Sequence, residues 1–290
     1  MTTSKFMQYL ELTKPRLNLL AVLTTWAGFY MGADRGTSIW SLINTLVGSA
    51  SIAAGCGTLN QWMEVEKDAQ MHRTMHRPLP SKKITETSAL FFGGILAVGG
   101  IILLFKMINP LTAFLGVLAI VSYIFFYTPL KKITSLCILV GAIPGALPPV
   151  MGWAAARDVV GIQGVVLFLI LFFWQMPHFL AIGWLYRDDY TRAGFPMLSV
   201  LDPEGKAVGW ISVIYALVLI PISLLPSILK MTTPIYLGVA SILGFIFLIF
   251  SINLAVHKSR INARKLFLAS IIYLPILFGV MVACKKISLG

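Results

Sequence analysis

Nine apolar runs, most of them close to 20 residues or longer, dominate this 290-residue chain. A helix needs ~20 mainly apolar residues to cross the hydrocarbon of a bilayer. No segment alternates polar and apolar residues over strand lengths, so a barrel is not indicated. The expected spans run approximately over 17–34, 42–66, 88–107, 111–127, 136–155, 160–186, 207–228, 233–255 and 264–284. Only 12% of the residues are charged, about half the share usual in a soluble domain. The expected fold class is therefore an all-α integral membrane protein. It is a nine-transmembrane-helix bundle forming one polytopic domain over residues 1–290, with a central cavity opening to the cytoplasmic face.

The 23 basic and 11 acidic residues give a formal charge of +12. The basic residues fall between the apolar runs, so lipid headgroups and topology explain them, and no nucleic-acid partner is expected. With nine crossings, 17 of the 23 basic residues lie on the N-terminal side. That asymmetry assigns a cytoplasmic N-terminus and a bacterial inner-membrane location. Met1 to Arg16 lacks a small-residue cleavage site and reads as a retained lead-in. Cys56, Cys137 and Cys284 show neither CxxC nor Cys-His spacing, so free thiols are expected.

Nine of the 11 acidic residues share the N-terminal side, which also carries the two long loops, about 69–87 and 187–206. Those loops follow spans two and six, suggesting two related four-helix halves. At the end of span two, Asn60, Glu64 and Asp68 stand four apart. At roughly 100° per residue they fall within about 80° of one helix face. Such a stack of oxygens can hold a divalent cation. Arg73 and Arg77 follow and suit phosphate oxygens. The bland reading is an interfacial charge cluster with snorkelling basic side chains. Regular four-residue spacing followed by two arginines favours the metal–diphosphate reading.

Asp188 and Asp189 close span six beside Arg187 and Arg192, and form the opposite acidic wall. Lys131 ends span four, as a phosphate contact or a topological anchor. His178 lies within span six, eleven residues before Asp189 and about three turns away. It has two readings: a contact to an acceptor, an iron or a proton, or a hydrogen bond between helices. Pro177 beside it can kink the helix. Gly141 to Pro149 in span five holds too many breakers for a straight helix. Thr13 to Arg16 is a rigid basic entry to span one. A transporter is the competing class, but its polar residues should run through the midplane.

The segments Leu12–Arg16, Asn60–Asp68, Arg73–Pro80, Tyr127–Lys132, Gly145–Pro149, Trp174–Phe179 and Arg187–Leu198 together resemble the UbiA superfamily of intramembrane prenyltransferases. The resemblance covers roughly residues 12–198. It implies nine membrane helices and Mg2+-dependent transfer from an isoprenoid diphosphate. Quinone-precursor enzymes of the superfamily carry aspartates four apart in the second motif. Here Tyr186 and Tyr190 hold those positions. The Trp174–Phe179 run is similar to the haem branch. That branch implies farnesyl diphosphate as donor and the 2-vinyl group of protohaem IX as acceptor, with water addition giving haem O. The alternative acceptor is an aromatic quinone precursor. The resemblance assigns Asn60, Glu64, Asp68, Asp188 and Asp189 to Mg2+. It assigns Arg73, Arg77 and Lys131 to diphosphate, and His178 to the acceptor. A haem A synthase or terminal oxidase assembly is the implied partner.

Overall fold

The computed structural model describes residues 4–286. The first three residues of the polar lead-in lie outside that range. Among the described residues the chain is helical, and its only β pairing is an isolated bridge between Thr232 and Lys285. The order is α1 (Lys5–Leu12), α2 (Pro15–Gly32), α3 (Ile39–Met63), α4 (Val65–Asp68), α5 (Glu86–Met107), α6 (Pro110–Ile120), a π-helical segment (Val121–Tyr127), α7 (Thr128–Leu130), α8 (Cys137–Arg157), α9 (Gly161–Leu185), α10 (Arg187–Arg192), α11 (Leu198–Leu201), α12 (Lys206–Ile228), α13 (Pro234–His257) and α14 (Arg260–Ala283).

The starts of these helices are written in local chemistry. Ser4, Ser38, Thr85, Asn109 and Ser259 cap α1, α3, α5, α6 and α14 with their side chains. Pro15, Pro110 and Pro234 open α2, α6 and α13, where a missing N–H costs nothing.

Among the described residues eight helices are long and apolar enough to cross a membrane: α3, α5, the run Pro110–Leu130, α8, α9, α12, α13 and α14. The chain is thus a multi-pass integral membrane protein. The expected first span is helical, as α2, but it stands outside this set. Arg16, Asn18, Thr24 and Thr25 dilute its 18 residues. The count of nine therefore depends on α2.

The chain divides into two compact units. The first holds residues up to Val159 together with Asp188–Pro196. Within it, α2 and α8 approach closely through glycine. A Cβ at Gly28 would collide with the Pro149 carbonyl, and one at Gly152 with the Thr25 carbonyl. Small residues of this kind let membrane helices gain dispersion contact that larger ones prevent.

The second unit holds Val160–Arg187 and residues from Met197 onward. Its interior buries Leu167, Ile170, Leu219, Phe247, Leu266 and Leu274. Its polar groups are paired: Tyr236 donates to the Ser223 carbonyl at 2.9 Å, and the Ser223 hydroxyl meets Tyr273 Oη at 2.8 Å. No water is available in hydrocarbon to do this work.

Several sequence expectations require correction. Span two does not run unbroken to residue 66; α3 stops at Met63, where Glu64 adopts φ −107°, ψ 10°. Span five is helical from Cys137 to Arg157 despite Pro144, Pro148 and Pro149. Pro177 likewise lies within α9. Each proline removes one ladder bond, a loss membrane helices tolerate when neighbours re-satisfy the backbone. Span six ends at Leu185, and Tyr186 at φ −112°, ψ 25° separates α9 from α10. Helical register therefore does not carry from His178 to Asp189. The loop 187–206 contains α10 and α11, and the lead-in forms α1.

Candidate active site

The break at Glu64 leaves the hydrogen-bond ladder intact across it. Glu64 N–H donates to the Asn60 carbonyl at 3.1 Å, and Asp68 N–H to the Glu64 carbonyl at 2.7 Å. Asn60, Glu64 and Asp68 thus remain consecutive rungs, and all three are buried. Each faces a different cation. Lys14 Nζ donates to Asn60 Oδ1 at 2.8 Å. Lys131 Nζ donates to Glu64 Oε2 at 2.9 Å. Arg77 Nη1 donates to Asp68 Oδ2 at 2.7 Å.

The loop geometry explains how Arg77 returns. The Thr74 hydroxyl donates to the Asp68 carbonyl at 2.8 Å, and Arg77 N–H donates to the Thr74 carbonyl at 3.0 Å. These turns bring a side chain nine residues downstream back onto Asp68. Lys14 reaches Asn60 from a left-handed backbone (φ 50°, ψ 54°) just before Pro15. The other end of the Asn60 amide donates to Thr128 Oγ1 at 3.1 Å. The amide orientation is therefore set by two partners on different elements.

The segment Asp188–Pro196 completes this face within the same unit. Asp189 is buried and accepts the His72 backbone N–H at 3.1 Å and Arg192 Nη1 at 3.0 Å. Asp188, by contrast, is exposed. Tyr190 and Phe195 are buried aromatic walls. Lys131 Nζ stands 4.5 Å from the Phe195 ring centre and 5.9 Å from that of Tyr190. The Arg73 guanidinium lies 5.9 Å from the Tyr190 ring. Lys67 donates to the Ala193 carbonyl at 2.6 Å. Cation–π attraction of this kind is stronger where water is excluded.

Electrostatics differ between the two buried lysines. Burial, reinforced by repulsion from Arg77, lowers the Lys14 pKa to about 7. Burial also opposes charge on Lys131, but the Glu64 carboxylate beside it prevails and holds its pKa above the ordinary value.

Eight of the nine residues singled out from sequence lie in the first unit: Asn60, Glu64, Asp68, Arg73, Arg77, Lys131, Asp188 and Asp189. His178 belongs to the second unit, stacked on Trp174 and Phe267. His72 and His76 are exposed. Sequence reasoning missed Lys14, Thr128, Tyr190 and Phe195. The lysine before a proline at a helix entry was visible, but its reach of 46 residues to Asn60 was not.

Among the described residues no three Asp, Glu, His or Cys side chains gather as a ready chelate. The donors nevertheless fit a hard divalent cation. All are oxygens, and Glu64 Oε1 is buried with no hydrogen-bond partner. Mg2+ usually combines a few such carboxylates with substrate phosphates.

A membrane helix fold with interleaved carboxylates and cations defines a class that handles anionic substrates at the end of apolar helices. The UbiA prenyltransferase family model matches residues 21–274, and the chain belongs to that family. Within it, a protein named protoheme IX farnesyltransferase from Solibacter usitatus is 42% identical over 282 residues, which is 94% of this chain and 97% of that one. One of the same name from Koribacter versatilis is 42% identical over 289 residues, covering 96% and 93%. Among solved structures, a digeranylgeranylglyceryl phosphate synthase superposes with TM-score 0.81 at 20% identity, over 97% of this chain and 99% of that one. A UbiA homologue from Archaeoglobus fulgidus bound to DMAPP and Mg2+ gives 0.72 at 16% identity, over 94% and 99%. These structures show the fold.

Proposed function

We infer that the protein transfers the farnesyl group of farnesyl diphosphate to the 2-vinyl group of protohaem IX, giving haem O and pyrophosphate. The observation that carries this reading is the row of paired charges. Asn60, Glu64, Asp68 and Asp189 each accept from a different basic side chain: Lys14, Lys131, Arg77 and Arg192. An arriving diphosphate can exchange with the carboxylates for these cations. The relatives named above, similar over almost their whole length, support the choice of donor and acceptor.

Asn60, Glu64, Asp68 and Asp189, with Asp188, are the residues that would hold Mg2+, which when bound supplies charge and Lewis acidity to the leaving pyrophosphate. Arg77 and Lys131 are released toward the phosphate oxygens as the carboxylates find other partners. Arg73 adds a guanidinium that remains accessible. Cleavage of the farnesyl C1–O bond separates a carbocation from an anion, and prepositioned cations stabilise that separation. Tyr190 and Phe195 give the reacting end aromatic walls that exclude water. The vinyl group forms the new carbon–carbon bond, water captures the resulting cation, and a proton is lost. Haem O would then pass to a haem A synthase or an oxidase assembly.

The basic asymmetry places the N-terminus and this face in the cytoplasm of a bacterial cell. Reporter fusions at both ends test that orientation, and a cytoplasmic C-terminus would refute nine crossings. For the reaction, purified protein in lipid nanodiscs should release pyrophosphate only with Mg2+, farnesyl diphosphate and protohaem together. Release driven by an aromatic quinone precursor instead would reassign the acceptor. Diphosphate movement across vesicles without chemistry would indicate a transporter.

A further inference from the structure

His178 is half-buried on α9, with its ring between Trp174 and Phe267 at centroid distances of 5.0 and 5.2 Å. Its Nδ1 lies 2.7 Å from Ser270 Oγ on α14. The same Ser270 hydroxyl lies 2.6 Å from the Phe267 carbonyl oxygen. Two short contacts share one hydroxyl proton, and this decides the tautomer. If Ser270 donated to Nδ1, its oxygen and the Phe267 carbonyl oxygen would face each other at 2.6 Å with no hydrogen between them. If Ser270 donates to the carbonyl, Nδ1 carries the imidazole proton and donates to Ser270 Oγ. Only the second arrangement puts a proton in both contacts.

A neutral imidazole has one N–H, so the other nitrogen then presents a lone pair. Among the described residues, Nε2 takes no hydrogen bond. Ser270 is itself immobilised: it is fully buried, and the Trp174 indole N–H donates to its carbonyl at 3.0 Å. Trp174 thus stacks on the histidine and also pins the residue that orients it. An imidazole whose far N–H is anchored and whose near nitrogen is bare, between flat aromatic rings, is built as a metal ligand is built.

We propose that Ser270 is a positioning residue that holds His178 with its proton on Nδ1, so that Nε2 ligates the iron of the protohaem acceptor. This rests on the acceptor being protohaem, as inferred above. It goes further in naming the ligand atom and the residue that aims it. A histidine that merely ties α9 to α14 would be satisfied by the Ser270 contact, and its Nε2 would have no task.

The test is a titration of full-length protein in nanodiscs with ferric and ferrous protohaem, read by absorption and by the iron–histidine stretch in resonance Raman. Wild type should show a histidine-ligated spectrum. His178→Ala should lose it, and added imidazole should restore it. Ser270→Ala should weaken protohaem affinity by about 10- to 100-fold and lower the iron–histidine frequency, and Ser270→Thr should recover both. Farnesyl diphosphate binding, followed in parallel, should stay unchanged and certifies folding.

An unaltered spectrum and affinity in His178→Ala would overturn the proposal, as would a Ser270→Ala protein identical to wild type. If either outcome came with normal haem O formation by wild type, the ligand assignment alone would fall. If wild type neither bound nor farnesylated protohaem, the proposed function would fall with it.

Discussion

The Glu64–Lys131 pair offers the sharpest test of how the charged face is held. Both side chains are buried, and the contact is 2.9 Å. At an effective dielectric of about 20 the attraction is ~6 kcal/mol, most of it offset by the cost of removing two charges from water. Breaking such a pair from one side strands the other charge and costs about 3–5 kcal/mol. Glu64→Gln strands Lys131, and Lys131→Met strands Glu64. The double variant strands neither, so its loss should fall short of the two single losses combined, by about 2–3 kcal/mol. At roughly 2–4 °C per kcal/mol, each single variant should lower Tm by roughly 6–20 °C, and the double variant by less than half of their sum. Cys56 and Cys137 are buried free thiols, so a thiol-reactive dye reports unfolding directly. Turnover should be lost in all three variants, because Glu64 belongs to the proposed metal set. Simply additive Tm losses would show that the pair carries no coupling and would refute the reasoning.

Asp68→Asn and Arg77→Ala should each slow turnover by about 10²–10³-fold; near-native rates at limiting Mg2+ would remove both from the site. Gly28→Ala and Gly152→Ala should lower stability by about 1–3 kcal/mol through collision with the facing carbonyls, although glycine to alanine in an open helix stabilises by about 1 kcal/mol. A rise in Tm for either would disprove the close approach of α2 and α8. Lys14, with a pKa lowered to about 7, is charged below neutrality at the expense of folding, and that penalty fades as pH climbs toward the unfolded lysine value. Amine acylation followed by mass spectrometry against pH should give Lys14 a midpoint near 7, and a midpoint above about 9 would contradict the burial argument. Lys131 runs the opposite way: its raised pKa keeps the Glu64 pair intact through neutral pH, with loss only above the usual lysine range near about 10.4.

Hydropathy alone located the long helices, because crossing a bilayer demands continuous apolar length. The acidic rungs and arginines were also legible, since Asn60, Glu64 and Asp68 repeat at the spacing of the backbone ladder that survives the break. What sequence could not reveal was which cation meets which oxygen. Arg77 returns to Asp68 through a turn closed by Thr74, and Lys14 reaches Asn60 from an unusual left-handed backbone. Neither follows from periodicity. The helix end at Tyr186 was hidden for a related reason: no glycine or proline marks it. A single register was accordingly drawn from His178 to Asp189, where two helices stand. Asp188 and Asp189 look alike in sequence, yet only Asp189 is buried against the His72 amide.

The π-helical stretch Val121–Tyr127 makes chain length, more than residue identity, the constrained quantity in this part of the gene product. Thr128 N–H reaches back five residues to the Tyr123 carbonyl, one more than an α-turn allows. Deleting any one residue there would let the run rewind as α-helix and turn everything after it by roughly 100°. Thr128 would swing off Asn60, and Lys131 off Glu64, with no site residue altered. Apolar exchanges among Val121, Phe125 and Phe126 would leave the winding as it is. Among related chains, a one-residue gap at this place therefore marks a differently wired charged face even where every motif aligns.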